Sequence, residues 1–253
     1  MTVTFLGTGT SQGVPVIGCD CEVCQSLDYR DKRLRTSVHI AIDEHSFVID
    51  TGPDFRQQML RERIQKLDFV LFTHSHKDHT AGLDDVRAFN FKQNMDMPLY
   101  GVHQVLNQLK TEYYYAFLEK KYPGTPQLQL NEIDDSTFKV NGLEITPLPV
   151  QHLHMPVFGF RIGNFSYITD ANSIPQSTME LLKGTSVLVL NALQREPHIS
   201  HFNLEEAIEM AGRIGASKTY FTHISHKLGL HKEISNELPL NVELAYDGLT
   251  VSL

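Results

Sequence analysis

Disulfides, tryptophan and long apolar runs are missing or scarce in this chain. Its 253 residues include no tryptophan and three cysteines, which lie together at Cys19, Cys21 and Cys24. Spacings this tight exclude a disulfide framework and favour a metal site. No apolar run approaches the roughly 18 residues of a membrane span, and the first residues lack the features of a signal peptide. We therefore expect a cytoplasmic protein that does not bind membranes.

Basic residues are fewer than acidic residues in this chain. The chain has 22 Lys and Arg against 30 Asp and Glu, a formal net charge of −8. A general attraction to nucleic acid is not expected, although a local basic cleft is compatible with this balance. Hydrophobic residues at 41% and charged residues at 21% are typical of a globular protein. The length predicts one domain over residues 1–253. The sequence does not specify the oligomeric state, and a homodimer is compatible with it.

Alternating strand and helix patterns predict a layered fold. Short apolar runs predict strands at Val3–Leu6, Val38–Ile42, Ser46–Ile49, Phe69–Phe72, Leu143–Leu148, Phe158–Ile162, Ser166–Ile168, Val187–Leu190 and Thr219–Phe221. Helical patterns lie at Pro53–Gln65, Thr80–Phe91, His103–Phe117, Ser177–Leu182 and Leu204–Arg213. Hairpin turns are predicted at Asp43-Glu44-His45, Asn141-Gly142, Gly163-Asn164 and Asp247-Gly248. The elements form two halves, divided near residue 130, and favour an α/β arrangement of four layers with helices outside two packed sheets, much of which is antiparallel.

Residues 84–131 are the least predictable stretch. The aromatic run Tyr113–Phe117 is typical of a helix that packs on a core, and a substrate lid is the alternative. Arg87 and Asn90 lie on a predicted helix just after a histidine-rich run. We interpret these two side chains as contacts to a phosphate or a ribose, or else as part of an exposed helix face.

Polar residues follow the ends of five predicted strands, at Asp50, His74, His152, Asp170 and His223. If these strand ends meet at one rim, the rim is a natural ligand site. In His74-Ser75-His76-Lys77-Asp78-His79, alternate side chains of an extended loop share one direction. His74 and His76 are therefore predicted to bind one ion, and Asp78 and His79 a second. Asp170 can bridge the two ions, His152 and His223 each complete one shell, and Asp50 orients a ligand histidine. The alternative for the run is a solvated turn.

These residues, with Gly82 and in this order, resemble the metal motifs of the metallo-β-lactamase superfamily. The resemblance implies an αβ/βα sandwich with His74, His76 and His152 on one catalytic metal and Asp78, His79 and His223 on the other. It places Asp170 between the two metals. An aspartate at that position, with both Asp78 and His79 present, is similar to the phosphodiesterase and ribonuclease Z branch.

The opening Leu6–Pro15, the Cys19-x-Cys21-x-x-Cys24 cluster and Thr222-His223-Ile224-Ser225-His226 together resemble the PhnP family, whose members hydrolyse a phosphoribosyl cyclic phosphate. That resemblance implies a structural zinc held by Cys19, Cys21, Cys24 and His226, and three reduced cysteines are the alternative. A closed shell of three thiolates and one imidazole suits structural zinc. The glycines of Gly7–Gly13 are compatible with a phosphate cradle or with a tight strand exit.

The predicted reaction is hydrolysis of a small phosphodiester, cyclic nucleotide-like or ribosyl, by water that two divalent zinc or manganese ions activate. Asp78 and His201 are the candidate catalytic residues, with His201 acting on the leaving group; a helix-terminal surface position is its alternative. Ribonuclease Z action is disfavoured because no basic arm is evident. A thioester or lactone hydrolase and a non-hydrolytic protein similar to PqqB are the remaining alternatives.

Overall fold

Every residue from 1 to 253 is described by the structure, a computed structural model. The chain divides into two units, each with its own sheet and core. The first unit comprises Met1–Gly7, Arg35–Asp134 and Gly248–Ser252; the second comprises Thr8–Leu34, Asp135–Asp247 and Leu253. The predicted division near residue 130 is thus close to the observed one. However, residues 8–34 belong with the later half of the chain, and the last strand belongs with the earlier half.

The sheet of the first unit has seven strands, which we number in chain order. They are β1 (Thr2–Gly7), β2 (Ser37–Ile42), β3 (His45–Ile49), β4 (Phe69–Leu71), β5 (Met97–Gly101), β6 (Leu128–Glu132) and β14 (Thr250–Ser252). Their order in the sheet is β14-β1-β2-β3-β4-β5-β6. Neighbours from β14 to β3 are antiparallel, and those from β3 to β6 are parallel. The predicted turn at Asp43 is confirmed, since it joins β2 to β3 with Asp43 at a φ of 51°.

Helices of the first unit cover this sheet with apolar faces. They are α2 (Phe55–Arg61), α3 (Lys77–Thr80), α4 (Arg87–Gln93) and α5 (His103–Glu112), with 3₁₀ turns at Leu83–Val86 and Tyr114–Phe117. The single helix predicted over Thr80–Phe91 is wrong, because the helix is interrupted at Gly82. A Cβ at Gly82 would lie 2.1 Å from the carbonyl oxygen of Gly52. Only glycine permits this approach, which turns the chain between α3 and α4.

The aromatic run of the first unit packs on its core. Tyr113 and Ala116 are buried in the same apolar cluster as Phe55 and Leu83, and the Tyr113 hydroxyl donates to the carbonyl of Thr80 over 2.8 Å. This confirms the core-packing interpretation for Tyr113. Strands β5 and β6 were not predicted, because β5 contains a proline and β6 carries polar side chains.

The sheet of the second unit also has seven strands. They are β7 (Phe138–Val140), β8 (Leu143–His152), β9 (Met155–Ile162), β10 (Phe165–Tyr167), β11 (Val187–Asn191), β12 (Lys218–Thr222) and β13 (Val242–Leu244). The order is β13-β12-β11-β10-β9-β8-β7, antiparallel from β7 to β10 and parallel from β10 to β13. Both sheets are therefore mixed, with three antiparallel and three parallel strand pairs each, which agrees with the prediction that much of the sheet is antiparallel.

Two predicted hairpin turns near this sheet have different outcomes. Asn141 and Gly142 join β7 to β8 with φ values of 49° and 88°, so that prediction is confirmed. The hairpin at Asp247-Gly248 is wrong, because β13 and β14 belong to different sheets. The Asp247 carboxylate instead accepts hydrogen bonds from the Thr8 hydroxyl and the Leu34 amide, both over 2.8 Å.

Four helices belong to the second unit: α1 (Glu22–Gln25), α6 (Gln176–Leu181), α7 (Leu204–Ile214) and α8 (His231–Ser235). Helix α7 begins with a capping box between Asn203 and Glu206 and ends at Gly215 in the left-handed region. It buries Leu204 and Ala207 in an apolar cluster that contains residues of β8, β11 and β12. None of the helices in the structure combines the length and the apolarity that crossing a bilayer requires.

A buried cation anchors helix α8 within the second unit. Arg33 donates to the Thr8 hydroxyl over 2.8 Å and to the carbonyl of Ala245 over 2.6 Å. Its Nη2 lies 3.1 Å from Nδ1 of His231, which must accept because arginine only donates. Burial, followed by the charge of Arg33, lowers the pKa of His231 to about 4. The ring is therefore neutral in the folded protein at neutral pH.

We expect acid to destabilise the protein through His231. The unfolded ring titrates near pH 6.5 and the folded ring near 4, so its contribution is complete above pH 6.5 and is lost as the pH falls toward 4. After allowance for solvent screening, the loss in unfolding free energy is about 2 kcal/mol. Denaturant titrations between pH 7 and 4.5 measure it. The His231→Asn variant keeps an acceptor but does not titrate, so its stability should fall less steeply; an identical pH dependence would contradict the assignment.

Candidate metal sites

In the first unit, the buried carboxylate of Asp50 organises the histidine run. Asp50 follows β3 with a φ of 66° and accepts hydrogen bonds from the amide of Thr73 over 2.9 Å and its hydroxyl over 2.8 Å. Nδ1 of His79 lies 2.7 Å from Asp50 Oδ2. Burial raises the pKa of Asp50, whereas His79 and Thr73 lower it. When His79 donates from Nδ1, its Nε2 presents a lone pair, as a metal ligand requires.

The four donors of the run lie close together in this unit. The ligand atoms of His74 and His76 lie within 4.8 Å of each other. The rings of His74 and His79 are 4.2 Å apart, and His79 Nε2 is 3.3 Å from Asp78 Oδ2. Helix α3 turns the chain after His76, so that Asp78 and His79 follow within one turn. Three imidazoles and one carboxylate form a donor set suited to divalent zinc or manganese.

We expect Asp50→Asn to weaken metal binding by about 10- to 100-fold, because Asp50 orients the His79 ring and Thr73. Asparagine tolerates the positive φ of this position, so the backbone should be preserved. Competition with a chromophoric chelator measures the affinity, and thermal melting checks the fold. Asp68→Asn, at a carboxylate that accepts from the Ser46 amide, is a matched control. An affinity unchanged in Asp50→Asn would refute this role.

In the second unit, Asp170 and His223 follow strands β10 and β12. His223 Nδ1 lies 2.8 Å from Asp170 Oδ1, and the Thr169 hydroxyl donates to the same oxygen over 2.6 Å. Both residues have positive φ, 53° for Asp170 and 56° for His223. Such backbone conformations cost about 1–3 kcal/mol each and are found at functional sites. Asn191 fixes the adjoining turn, since its side chain bonds the amide and the carbonyl of Ala171 over 2.8 and 2.9 Å.

His152 and His201 lie beside Asp170. Donor atoms of His152, Asp170 and His201 are all within 4.8 Å of one another. Nδ1 of His152 is 2.8 Å from the carbonyl of Ser200, which must accept, so Nε2 of His152 has the lone pair. The His201 ring stacks on His223 with centroids 4.9 Å apart, and its Nε2 is 3.6 Å from Asp170 Oδ2. His201 is therefore buried beside the donors instead of lying on the surface.

Burial lowers the pKa of His201 to about 4, although Asp170 opposes the shift. A neutral ring at pH 7 offers an N–H hydrogen bond, but it is not a cationic acid. Sequence reasoning missed His198, whose Nδ1 is 3.3 Å from Nδ1 of His201. The three-residue spacing of the two histidines was the available signal.

The three cysteines and His226 meet inside the second unit. Nδ1 of His226 lies 3.3 Å from Cys19 Sγ, 3.3 Å from Cys21 Sγ and 3.6 Å from Cys24 Sγ. In a tetrahedral zinc shell with ordinary Zn–S and Zn–N bonds, neighbouring sulfur and nitrogen atoms are roughly 3.6 Å apart. The observed separations are close to this value. The donor set therefore fits a closed zinc site without rearrangement.

The electrostatics of this cluster also favour a cation. The backbone N–H of Cys24 and then His226 lower the pKa of Cys21 to about 6, whereas burial raises that of Cys24 to about 11. The pKa values of these two thiols thus differ in direction, and a coordinated metal would deprotonate both. Val14 and Val23 pack around Cys24 in a small apolar cluster.

Phosphate contacts from Asn90 and from the glycine loop are not supported, whereas the hypothesis for Arg87 stays a prediction. Both ends of the Asn90 amide are used inside the first unit, by the carbonyls of Met95 and Gln127 and the amide of Gln127. Arg87 forms an ion pair with Asp84 at 2.7 Å.

In the predicted phosphate cradle, the amides of Gly9 and Gly13 donate to the carbonyls of Leu34 and Thr10. A Cβ on Gly9 would lie 2.9 Å from the carbonyl of Arg33. The tight strand exit is therefore the interpretation that the structure supports.

Comparison with known proteins identifies the family. The family described as Beta-lactamase superfamily domain matches residues 45–224. The chain belongs to the metallo-β-lactamase superfamily, and its α/β fold matches that of solved members. It is a metal-dependent hydrolase.

Three proteins similar to this chain are informative about its place in the superfamily. The chain is 41% identical to a crystallised diphosphatase of the PhnP family, with a TM-score of 0.93 and coverage of 100% of this chain and 97% of that one. It is also 41% identical to an octanoyltransferase of Porphyromonas gingivalis, over 98% of this chain and 51% of that protein. A ribonuclease Z of Staphylococcus epidermidis is 26% identical, with 85% and 62% covered. The chain thus spans about half to three fifths of these two curated relatives.

Proposed function

We propose that this hydrolase is a phosphodiesterase that cleaves a small cyclic nucleotide-like or ribosyl phosphodiester. The observation that carries the proposal is the buried Asp170 carboxylate, held by Thr169 and His223, in a chain that also has both Asp78 and His79. We assign two catalytic cations to this set. By the family motifs, His74, His76 and His152 would hold one cation, Asp78, His79 and His223 would hold the other, and Asp170 would be the carboxylate available to both. The order of the superfamily motifs and the donor sets of the two units support the assignment.

Divalent cations, when bound, lower the pKa of water and neutralise the charge that develops on a phosphoryl oxygen. The chain itself keeps the donors in place. Asp50 and the carbonyl of Ser200 bond the Nδ1 atoms of His79 and His152, so these rings present Nε2. The Thr169 hydroxyl donates a hydrogen bond to the Asp170 carboxylate and holds it in place. These donors therefore need little reorganisation to bind, which is the main contribution of a protein to metal-assisted hydrolysis.

His201 is proposed to stabilise the leaving oxygen. Its ring is buried between His152 and His223, with centroid distances of 4.6 and 4.9 Å. Because burial keeps the ring neutral at pH 7, its role is to donate an N–H hydrogen bond to the departing oxygen as negative charge develops there. Asp78 supports catalysis by holding a cation.

Hydrolysis of a diphosphate is the second candidate, because the relative with 41% identity over the whole chain is a diphosphatase. The two reactions share attack of water on a phosphorus atom that carries two ester or anhydride links. They differ in the leaving group, since a phosphate departs more readily than an alkoxide and needs less help from His201.

A substrate profile tests the proposal. The metal-reconstituted protein is offered bis(p-nitrophenyl) phosphate, 2′,3′-cyclic AMP, a ribosyl cyclic phosphate, a disubstituted diphosphate, a precursor tRNA and an octanoyl thioester. We expect the small phosphodiesters to have the highest kcat/KM. Preference for the diphosphate would select the second candidate. Turnover of the thioester alone would overturn the phosphodiesterase proposal.

The cysteine cluster is proposed to hold a third ion, a structural zinc, on Cys19, Cys21, Cys24 and His226. The sulfur to nitrogen separations given above support it. This ion would tie residues 8–34 to the segment after β12 without taking part in hydrolysis.

A further inference from the structure

One side chain of the second unit bridges two loops beside the candidate histidines. Oδ1 of Asn172 accepts a hydrogen bond from the amide of Leu153 over 2.9 Å, and its Nδ2 donates to the carbonyl of Ile199 over 3.0 Å. The backbone amide of Asn172 also donates to the carbonyl of Gln151 over 2.9 Å. Asn172 thus connects the turn after Asp170 to the tip of the β8–β9 hairpin and to the loop before α7.

The two bridged residues expose apolar side chains at these loops. Leu153 is 44% exposed and Ile199 is 74% exposed. Leu153 also has a φ of 57°, an uncommon conformation for a leucine that costs free energy. The hydrogen bond from its backbone amide to the Asn172 side chain helps to hold that conformation.

Both residues are close in sequence to candidate histidine ligands. Leu153 directly follows His152, and Ile199 stands two residues before His201. The loops meet again where His152 Nδ1 bonds the carbonyl of Ser200, the residue between Ile199 and His201. The backbones of Leu153 and Ile199 are therefore held in the two loops that carry His152 and His201, and Asn172 connects these loops. We call Leu153 and Ile199 the apolar lip.

We propose that the apolar lip is a specificity subsite that packs against an aromatic or other apolar group carried by the substrate phosphate, and that Asn172 is the residue that positions it. Neither side chain can hydrogen-bond a phosphoryl oxygen, so its partner is the organic part of the ligand, such as a nucleobase or an aryl group. The inference rests on the proposed function for a phosphoryl group beside His152 and His201. It adds the chemistry of the group attached to that phosphoryl.

Equilibrium binding to the metal-reconstituted protein tests this without any turnover. Phenylphosphonate and methylphosphonate have the same anionic head and differ in the apolar group, and calorimetry gives both dissociation constants. We expect wild type to bind phenylphosphonate about tenfold more tightly, as partial burial of one ring implies. The Leu153→Asn, Ile199→Thr double variant should lose this preference. Asparagine accepts the positive φ at residue 153, and threonine keeps the branched shape at residue 199.

Three further variants separate the effect of side-chain position from that of simple hydrophobicity. Asn172→Ala retains both apolar side chains but releases the loops, so it should reduce the phenyl preference to threefold or less, whereas Asn172→Gln, with the same amide, should restore part of it. Leu240→Asn removes a fully exposed leucine elsewhere in the second unit and should keep the whole preference. Thermal melting confirms that each variant folds, and Ile199→Thr alone replaces the double variant if that one does not fold.

The possible outcomes are distinct. If wild type has no phenyl preference, or if the double variant keeps it, the apolar lip is refuted. If Asn172→Ala binds as wild type does, Asn172 is not the positioning residue. A phenyl preference that is lost as expected, in a protein that hydrolyses no phosphodiester, would support the subsite and overturn only the proposed function.

Discussion

Replacing Asp170 by asparagine is expected to lower phosphodiesterase kcat/KM by at least about 1,000-fold, because the bound cations contribute several kcal/mol to the barrier. Asp170 is the carboxylate assigned to both ions, and an amide binds cations much more weakly. Asp170→Ala should lose nearly all activity and catalytic metal as well. Its fold should survive, although alanine is strained at a φ of 53°. Asparagine tolerates this φ. The Asp170→Asn variant therefore removes the carboxylate ligand while it preserves the backbone turn.

Metal analysis and steady-state kinetics on the same samples check this result. Asp135→Ala removes an exposed carboxylate of the same unit and should leave both readouts at the wild-type level. If Asp170→Asn kept its catalytic metal and more than about a tenth of the activity, Asp170 could not be the shared ligand.

Cys21→Ala is expected to release one zinc ion per chain and to lower the melting temperature while much of the activity of the folded protein remains. A site present at 1,000 times its dissociation constant stabilises the folded state by about 4 kcal/mol. For a chain of this size, that corresponds to roughly 8–16 °C. The destabilisation should be concentrated in residues 8–34, which hydrogen exchange can locate.

Gln25→Ala is the matched control for this variant, because Gln25 is an exposed residue at the end of the same short helix. It should keep all of its zinc. A Cys21→Ala protein that retains its full metal content would show that the cluster holds three reduced thiols instead of a structural ion.

The sequence predicted the features that depend on short stretches of chain. Apolar, β-branched runs identified β2, β3, β11 and β12, because such segments form buried strands whether their neighbours are parallel or antiparallel. The run from His74 to His79 could be interpreted from its own spacing, since the short helix α3 places Asp78 and His79 within one turn. Its resemblance to one superfamily was confirmed by the family match over residues 45–224.

Features that depend on contacts between distant segments were harder to predict. The break at Gly82 depends on the carbonyl of Gly52, thirty residues earlier. The Asp247-Gly248 pair has the residues of a hairpin turn, but contacts to Thr8 and Leu34 determine its structure. The bridge made by Asn172 has no local signal, because its two partners come from different loops. Packing thus overrode local propensity at each of these positions.

The burial of His201 changes how its proposed role is understood. From the sequence, a histidine just before α7 suggested a group that gives the leaving oxygen a proton or a charge partner. The structure surrounds its ring with His152, His198 and His223 and lowers its pKa to about 4. A neutral donor of a hydrogen bond is consistent with these surroundings, whereas a cationic acid beside bound cations is not.

Hydrolysis of bis(p-nitrophenyl) phosphate in ¹⁸O-labelled water tests the central claim most directly. The metal-reconstituted protein should release p-nitrophenyl phosphate with one ¹⁸O atom and unlabelled p-nitrophenol, and chelation should abolish the reaction. That result would show metal-dependent attack of water on phosphorus. Label in the p-nitrophenol, product formation that survives complete removal of metal, or no turnover of any phosphodiester would contradict the account.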